Sequence, residues 1–221
     1  MKKKVIEVVS DASGLKTALS FGNDVKLSSD INLASALAIP ADYNGTIDLN
    51  GFSIKNTTAD NNGETCGTSG KACAAIYVND VNTNLTIKGE GEVSAITTEA
   101  TYNIPVWVRN GTVTIEGGNY ISGEDTKGNA SHAVYGMNSA KIYIKNGSFE
   151  VRGNASGMSY PSVLNCQDKK EAKIILSGGK YKNFGATEAA AVAPNDYTEI
   201  ELASNCTWSS TNDADGYYTV E

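Results

Sequence analysis

Carboxylates are the side chains of this sequence best suited to chemistry, and two close pairs stand out: Glu124 with Asp125, and Asp213 with Asp215. Paired acids can divide the general-acid and general-base roles in cleavage of a glycosidic bond. Both pairs fall in polar, turn-rich stretches, where solvated turn acids are the simpler reading. His132 is the single histidine, and Arg109 and Arg152 are the only arginines. Each arginine follows a strand-like run, and neither has an acidic partner at the matching place in a neighbouring repeat. Cys66 and Cys73 lie in ETCGTSGKACAA, a Gly/Ser-rich loop short enough to close as a local disulfide. Cys166 and Cys206 read as small core or loop residues. One histidine and no zinc-type cysteine spacing leave no expectation of a metal site or other cofactor. No residue is assigned a catalytic role.

The 221 residues carry a net charge of −7, with 40% hydrophobic and 19% charged residues. An acidic chain with two arginines is a poor partner for nucleic acid. No apolar run approaches the ~20 residues that cross a bilayer, so membrane insertion is not expected. The opening MKKKVIEVVSDASG is basic but lacks an apolar stretch, because Glu7, Ser10 and Asp11 interrupt it. No secretory signal is therefore expected.

The elements that must position any site come from a repeat. VTIEGGNYIS (113–122) recurs as IYIKNGSFEV (142–151), IILSGGKYKN (174–183), LTIKGEGEVSA (85–95), TIDLNGFSIK (46–55) and, decayed, IELASNCTWS (200–209). Each copy has an apolar pair at i and i+2, a Gly or Asn turn, and a further apolar residue: Ile54, Val93, Tyr120, Phe149, Tyr181 or Trp208. The pairs are Ile47/Leu49, Leu85/Ile87, Val113/Ile115, Ile142/Ile144, Ile174/Leu176 and Ile200/Leu202. Period-two alternation inside a repeat of roughly 29 residues, with no helical pattern, predicts a β-solenoid of about six coils. An extra strand precedes each pair, at 75–79, 105–110, 133–138 and 162–166, with 189–194 in the last slot. It places Ile76, Val106, Val134 and Val163 in one inward column. Parallel stacking at about 4.8 Å per coil gives a rod roughly 30 Å long. Turn asparagines Asn50, Asn110, Asn138 and Asn146 can stack amides along it or simply favour tight turns.

An open coil end is an aggregation edge. In SDASGLKTALSF, Leu15, Ala18 and Leu19 share one face of a predicted short helix with Asp11 or Ser13 as N-cap, a lid for the N-terminal end. The C-terminal DGYYTVE is expected to pair as a last strand at the other end. The expected organisation is one domain over 1–221: strand and capping helix to 24, coils over 25–203, and a C-terminal cap over 204–221.

The stretch from Ala18 to Ile54 resembles the opening of right-handed parallel β-helix proteins of the pectin-lyase-like superfamily. Their pattern is a short helix, a V-x-L strand, a DI-L segment and a DLNG turn. Here these are Leu15–Leu19, Val25 and Leu27, Asp30–Leu33, and Asp48–Gly51. The resemblance covers essentially the whole chain and implies an all-β, right-handed, single-stranded parallel β-helix. It says little of function, since the superfamily includes lyases, hydrolases, adhesins and phage fibres. Its uronic-acid-polymer enzymes carry clustered acids, or calcium-binding acids beside a base, on the outward face of adjacent coils.

Those outward columns can be read off the repeat. Within the pairs they run Asp48, Thr86, Thr114, Tyr143, Ile175, Glu201; on the preceding strand, Tyr77, Trp107, Tyr135, Leu164. No column sets two carboxylates on neighbouring coils. Tyr77, Trp107, Tyr135 and Leu164, with Thr86, Thr114, Tyr143 and Ile175, form a stripe on a face expected to be wet. The stripe suits a subunit interface around a threefold axis, or a platform on which sugar rings stack, unless a loop such as 58–73 or 153–161 covers it. The expectation is a non-catalytic structural or adhesion module, best read as a phage virion decoration or fibre protein made in the host cytoplasm. Its partners would be other virion proteins, copies of itself as a homotrimer, or host glycan. The alternatives are a glycan-binding adhesin at the bacterial surface, or secreted if a signal peptide was removed, and a polysaccharide lyase or hydrolase.

Overall fold

The computed structural model describes residues 4–59, 72–123, 130–152, 162–167, 171–183 and 199–221. The chain opens with β1 (Ile6–Val9), α1 (Ala12–Ser20), β2 (Asp24–Leu27), β3 (Ile31–Leu33), β4 (Leu37–Ala38), β5 (Asn44–Asp48) and β6 (Ser53–Asn56). It continues with β7 (Ala72–Lys88), β8 (Glu92–Ala95), β9 (Tyr102–Gly123), β10 (Ala130–Ser131), β11 (Val134–Gly136) and β12 (Lys141–Arg152). The remaining strands are β13 (Leu164–Cys166), β14 (Lys173–Leu176), β15 (Lys180–Asn183), β16 (Ile200–Leu202) and β17 (Tyr218–Thr219). These strands make one large, mostly parallel sheet, an architecture compatible with a β-helix or solenoid. β7 and β9 are longer than the repeat suggests. β7 runs through two of the predicted strands and β9 through three, turning a corner where the register slips, at Val78–Asn84 on β7.

The registers show how alternation becomes a core. One buried column stacks Val25, Ile47, Ile87, Ile115, Ile144 and Leu176. A second stacks Leu37, Ile76, Val106, Val134 and Leu164. The third holds Ile31, Ile54, Val93, Tyr120, Phe149 and Tyr181. The expected followers of the apolar pairs thus form a single column as far as Tyr181. Trp208 lies outside that ladder and meets Tyr181 edge-on, with centroids 5.2 Å apart.

The repeated GGxY has a local cause. Tyr120 donates its hydroxyl to the Gly117 carbonyl at 2.9 Å, and Tyr181 donates to Gly178 at 2.7 Å. Each buried ring thereby satisfies its polar atom on the turn three residues upstream. Gly178 cannot carry a side chain, because a Cβ there would stand 2.2 Å from the Lys145 carbonyl of the neighbouring turn.

The N-terminal lid forms as expected. Asp11 is the N-cap, accepting from the Gly14 amide at 2.8 Å, and Leu15, Ala18 and Leu19 are buried. At the other end β17 lies antiparallel on β15, so the last strand does close that edge. The turn asparagines divide between the two roles. Asn110 donates to Asn79 at 2.7 Å and accepts from Ser139 at 2.8 Å, a polar stack across neighbouring turns. Asn50 and Asn138 instead hold the left-handed conformation of tight turns, with φ of 49° and 47°.

One early register differs from the sequence reading. Ile47 pairs with Ile87, so Thr46, not Asp48, stands beside Thr86, while Asp48 stands beside Lys88. The Ile47/Leu49 pair is offset by one full alternation from the later pairs, a slip of two residues that keeps every side chain on its own face.

Candidate functional site

Thr86, Thr114, Tyr143 and Ile175 do share one column, continued by Glu201, and all are half-buried. Tyr77, Trp107 and Tyr135 share the other. Leu164 does not belong there. Its register partner is Val134, so Leu164 faces the core and Asn165 lies beside Tyr135. Val163 and Leu164 are adjacent apolar residues and both are buried, so alternation alone fits either one inward. The polar Asn165 settles the register by bonding His132.

The expectation of a wet aromatic stripe is corrected at its centre. Trp107 is 0% exposed and Tyr77 4%. They pack with Ala36, Ala72, Ala74, Ile104 and Met137 in an apolar cluster separate from the main core. The two rings lie 4.7 Å apart at 50°, and the Trp107 indole N–H donates to the Met137 sulfur at 3.1 Å. A side chain so enclosed presents no face to a sugar or a second subunit. Tyr135 is half-buried at the margin of this cluster. Of the loops weighed as covers, 60–71 and 153–161 lie outside the described residues.

His132 is fully buried beneath Tyr135, with ring centroids 5.5 Å apart. Its Nδ1 lies 2.6 Å from the Ser162 carbonyl, which can only accept, so Nδ1 carries the proton. Nε2 then accepts from the Asn165 amide at 2.9 Å. Burial pushes its pKa down to about 4, opposed by the Ser162 carbonyl. This histidine is neutral, has both ring nitrogens occupied, and ties its own segment to Ser162–Asn165 on the next coil.

The acids divide as follows. Glu124 and Asp125 lie outside the described residues. Asp213 organises a turn, accepting from the Asp215 and Tyr217 amides at 3.0 and 2.9 Å, and it pairs with Lys180 at 3.1 Å. Those backbone donors hold its carboxyl below the usual range. Arg152 pairs with Glu150 at 3.0 Å, two residues back on its own strand, a partner the column comparison could not find. Arg109 is half-buried beside Asn110. Outer carboxylates meet lysines on neighbouring strands: Asp48 with Lys88 at 4.0 Å, Glu92 with Lys55 at 3.4 Å, Glu116 with Lys145 at 3.1 Å, Glu150 with Lys182 at 3.5 Å, and Glu201 with Lys173. The more exposed of these, such as Glu116 with Lys145, are worth about 0.2–1 kcal/mol each.

Of the cysteines weighed as a disulfide, Cys66 lies outside the described residues. Cys73 is a free, buried thiol that donates to the Asn56 carbonyl at 3.3 Å, with its pKa raised by burial to about 12. Among the described residues, no group of three His, Cys, Asp or Glu side chains could hold a metal ion. No helix among them is long and apolar enough to cross a membrane.

An open groove of about 530 Å³ runs across the stacked turns that join the first and third columns. Glycine backbone forms its floor, and Glu90, Glu116, Asn119, Asn146, Ser148 and Lys180 line it. Ser148 donates to Asn119 at 2.6 Å across neighbouring turns. Of these side chains, sequence reading singled out only Asn146, as a turn former. The signal available was their stacking: polar side chains at the same turn of successive repeats must fall side by side. Compared with protein-family models, curated proteins and solved structures, the chain matches none.

Proposed function

We propose that the chain is a non-catalytic structural or adhesion module on a right-handed parallel β-helix of the pectin-lyase-like kind, serving as a decoration or fibre protein of a phage virion. The observation that carries the reading is the cross-bracing of the outer surface. Carboxylates on successive strands are bridged by lysines one strand away, as in Asp48 with Lys88 and Glu150 with Lys182. Each such pair ties one strand to the next. Behind it, buried aliphatic and aromatic columns give a stiff scaffold from which loops can make contacts. Gold-labelled antibody against the chain, applied to particles from its source, tests the assignment. Label on the particle surface is the expected result. Label confined to bacterial envelopes would overturn it in favour of the adhesin.

The turn groove favours a second reading, glycan adhesion. Its amide, hydroxyl and peptide groups recur at the strand spacing of about 4.8 Å, which suits a hydroxyl-rich polymer laid along it. Asn119→Ala with Asn146→Ala should abolish any signal on a glycan array. Binding retained by that variant would remove the groove from consideration.

A further inference from the structure

Asn-Gly steps occur in the sequence at Asn44, Asn50, Asn62, Asn110 and Asn146. This pair is open to a reaction of the chain with itself. The glycine amide nitrogen can bond to the asparagine Cγ, because glycine has no side chain to block the approach. How fast it does so depends on where the fold holds the two groups. Asn62 lies outside the described residues, and the other four steps differ in that geometry.

Three of them are held apart. Asn50 donates to the Leu27 carbonyl at 2.9 Å, and the nitrogen that would attack it, that of Gly51, donates to the Glu90 carbonyl at 2.6 Å. Asn110 is gripped at both ends of its amide, its Nδ2 donating to Asn79 at 2.7 Å and its Oδ1 accepting from Ser139 at 2.8 Å. Asn44 and Gly45 lie within β5, in register with Asn84 and Leu85 of β7. In such a strand the side chain stands off the sheet while the amides lie in it.

Asn146 is arranged the other way. It sits where the register of β12 on β9 slips, and Gly147 has no register partner among the described strands. The Gly147 amide donates instead to Oδ1 of Asn146 itself, at 2.8 Å. The attacking nitrogen is thus already folded against the carbonyl group it would attack, and its hydrogen bond polarises that group. Asn146 is exposed, so water and hydroxide reach it.

We propose that Asn146 is a self-modifying site, whose side-chain amide converts to a carboxylate in the folded chain ahead of those of Asn44, Asn50 and Asn110. The Gly147 nitrogen gives its proton to solvent and bonds to Cγ of Asn146. The Cγ–Nδ2 bond breaks and ammonia leaves, closing a cyclic imide. Water then opens the ring at either of its carbonyls, leaving aspartate or isoaspartate at position 146. The change falls in the turn groove. Asn146 lines that groove in register with Glu116, so a neutral amide there becomes a second carboxylate beside the first. The reaction is independent of what the groove binds; only its effect on adhesion rests on the glycan reading.

The test ages the purified full chain at mildly alkaline pH and physiological temperature, once folded and once in urea. Peptide mapping that separates asparagine, aspartate and isoaspartate follows each site with time. In the folded chain, position 146 should convert at least about tenfold faster than 44, 50 and 110. In urea the four should react within a few-fold of one another, because the geometry that sets them apart is gone. Two results would overturn the proposal: a position 146 no faster than the other three in the folded chain, or the same preference for 146 retained in urea.

Discussion

The ring of Phe149 stacks on that of Tyr181 at 5.1 Å and 11°, and on its other side lies Tyr120 at 4.9 Å and 8°. All three are fully buried, so Phe149 is the middle of an aromatic column joining three strands. Phe149→Ala should cost about 3–5 kcal/mol, read from the denaturant midpoint. Tyr181→Phe keeps the stack but leaves the Gly178 carbonyl without its donor, and should cost about 1 kcal/mol. Equal losses for the two variants would contradict the stacking account.

Trp107 is a structural residue by the same reasoning. In a Trp208→Phe background its fluorescence should be blue-shifted and almost untouched by iodide, because its ring is enclosed by Tyr77, Ile104 and Met137. Trp107→Ser should lower stability by about 3–5 kcal/mol. Strong iodide quenching would return the ring to the surface and revive the interface.

His132 sets a pH dependence that can be isolated, since it is the only histidine. Its folded pKa is lowered to about 4 from an unfolded 6.5, so between these values the unfolded chain binds the extra proton. Stability is therefore full above pH 6.5 and falls as pH drops towards 4, by up to roughly 3 kcal/mol. His132→Asn should flatten that slope in denaturant titrations at several pH values. A slope unchanged by the substitution would show that other groups cause it.

Gly91 sits at φ 139°, and a Cβ there would stand 2.1 Å from the Phe52 carbonyl of the neighbouring turn. Gly91→Ala should cost more than about 2 kcal/mol, through backbone strain and clash together. Gly22→Ala, with φ 74° but nothing within 4 Å, should cost only about 1 kcal/mol. Thermal melts of the two variants give the comparison.

Much of this architecture was legible because alternation with period two assigns faces without knowledge of neighbours. Val113/Ile115 and Ile142/Ile144 were paired correctly on that ground, and Leu15, Ala18 and Leu19 marked the lid. Register failed where two apolar residues adjoin, as at Val163 and Leu164, and where a turn changes length, as between Ile47 and Ile54 compared with Ile87 and Val93. The site was read less well for a different reason. An outward position in a strand is wet only if nothing packs on it, and the cluster of Ala36, Ala74, Ile104 and Met137 over Trp107 joins residues far apart in the chain. The pairing of Glu150 with Lys182 was hidden for the same reason, since it depends on which strands become neighbours.

The central claim is that the cross-braced outer surface does no polymer chemistry. Its most direct test is incubation of the purified chain, with and without calcium, with a panel of uronic-acid and neutral polysaccharides. New reducing ends and the ultraviolet absorbance of unsaturated products would both be followed. The account predicts neither above a boiled control. Sustained release of either from any polymer would contradict it and make the chain an enzyme.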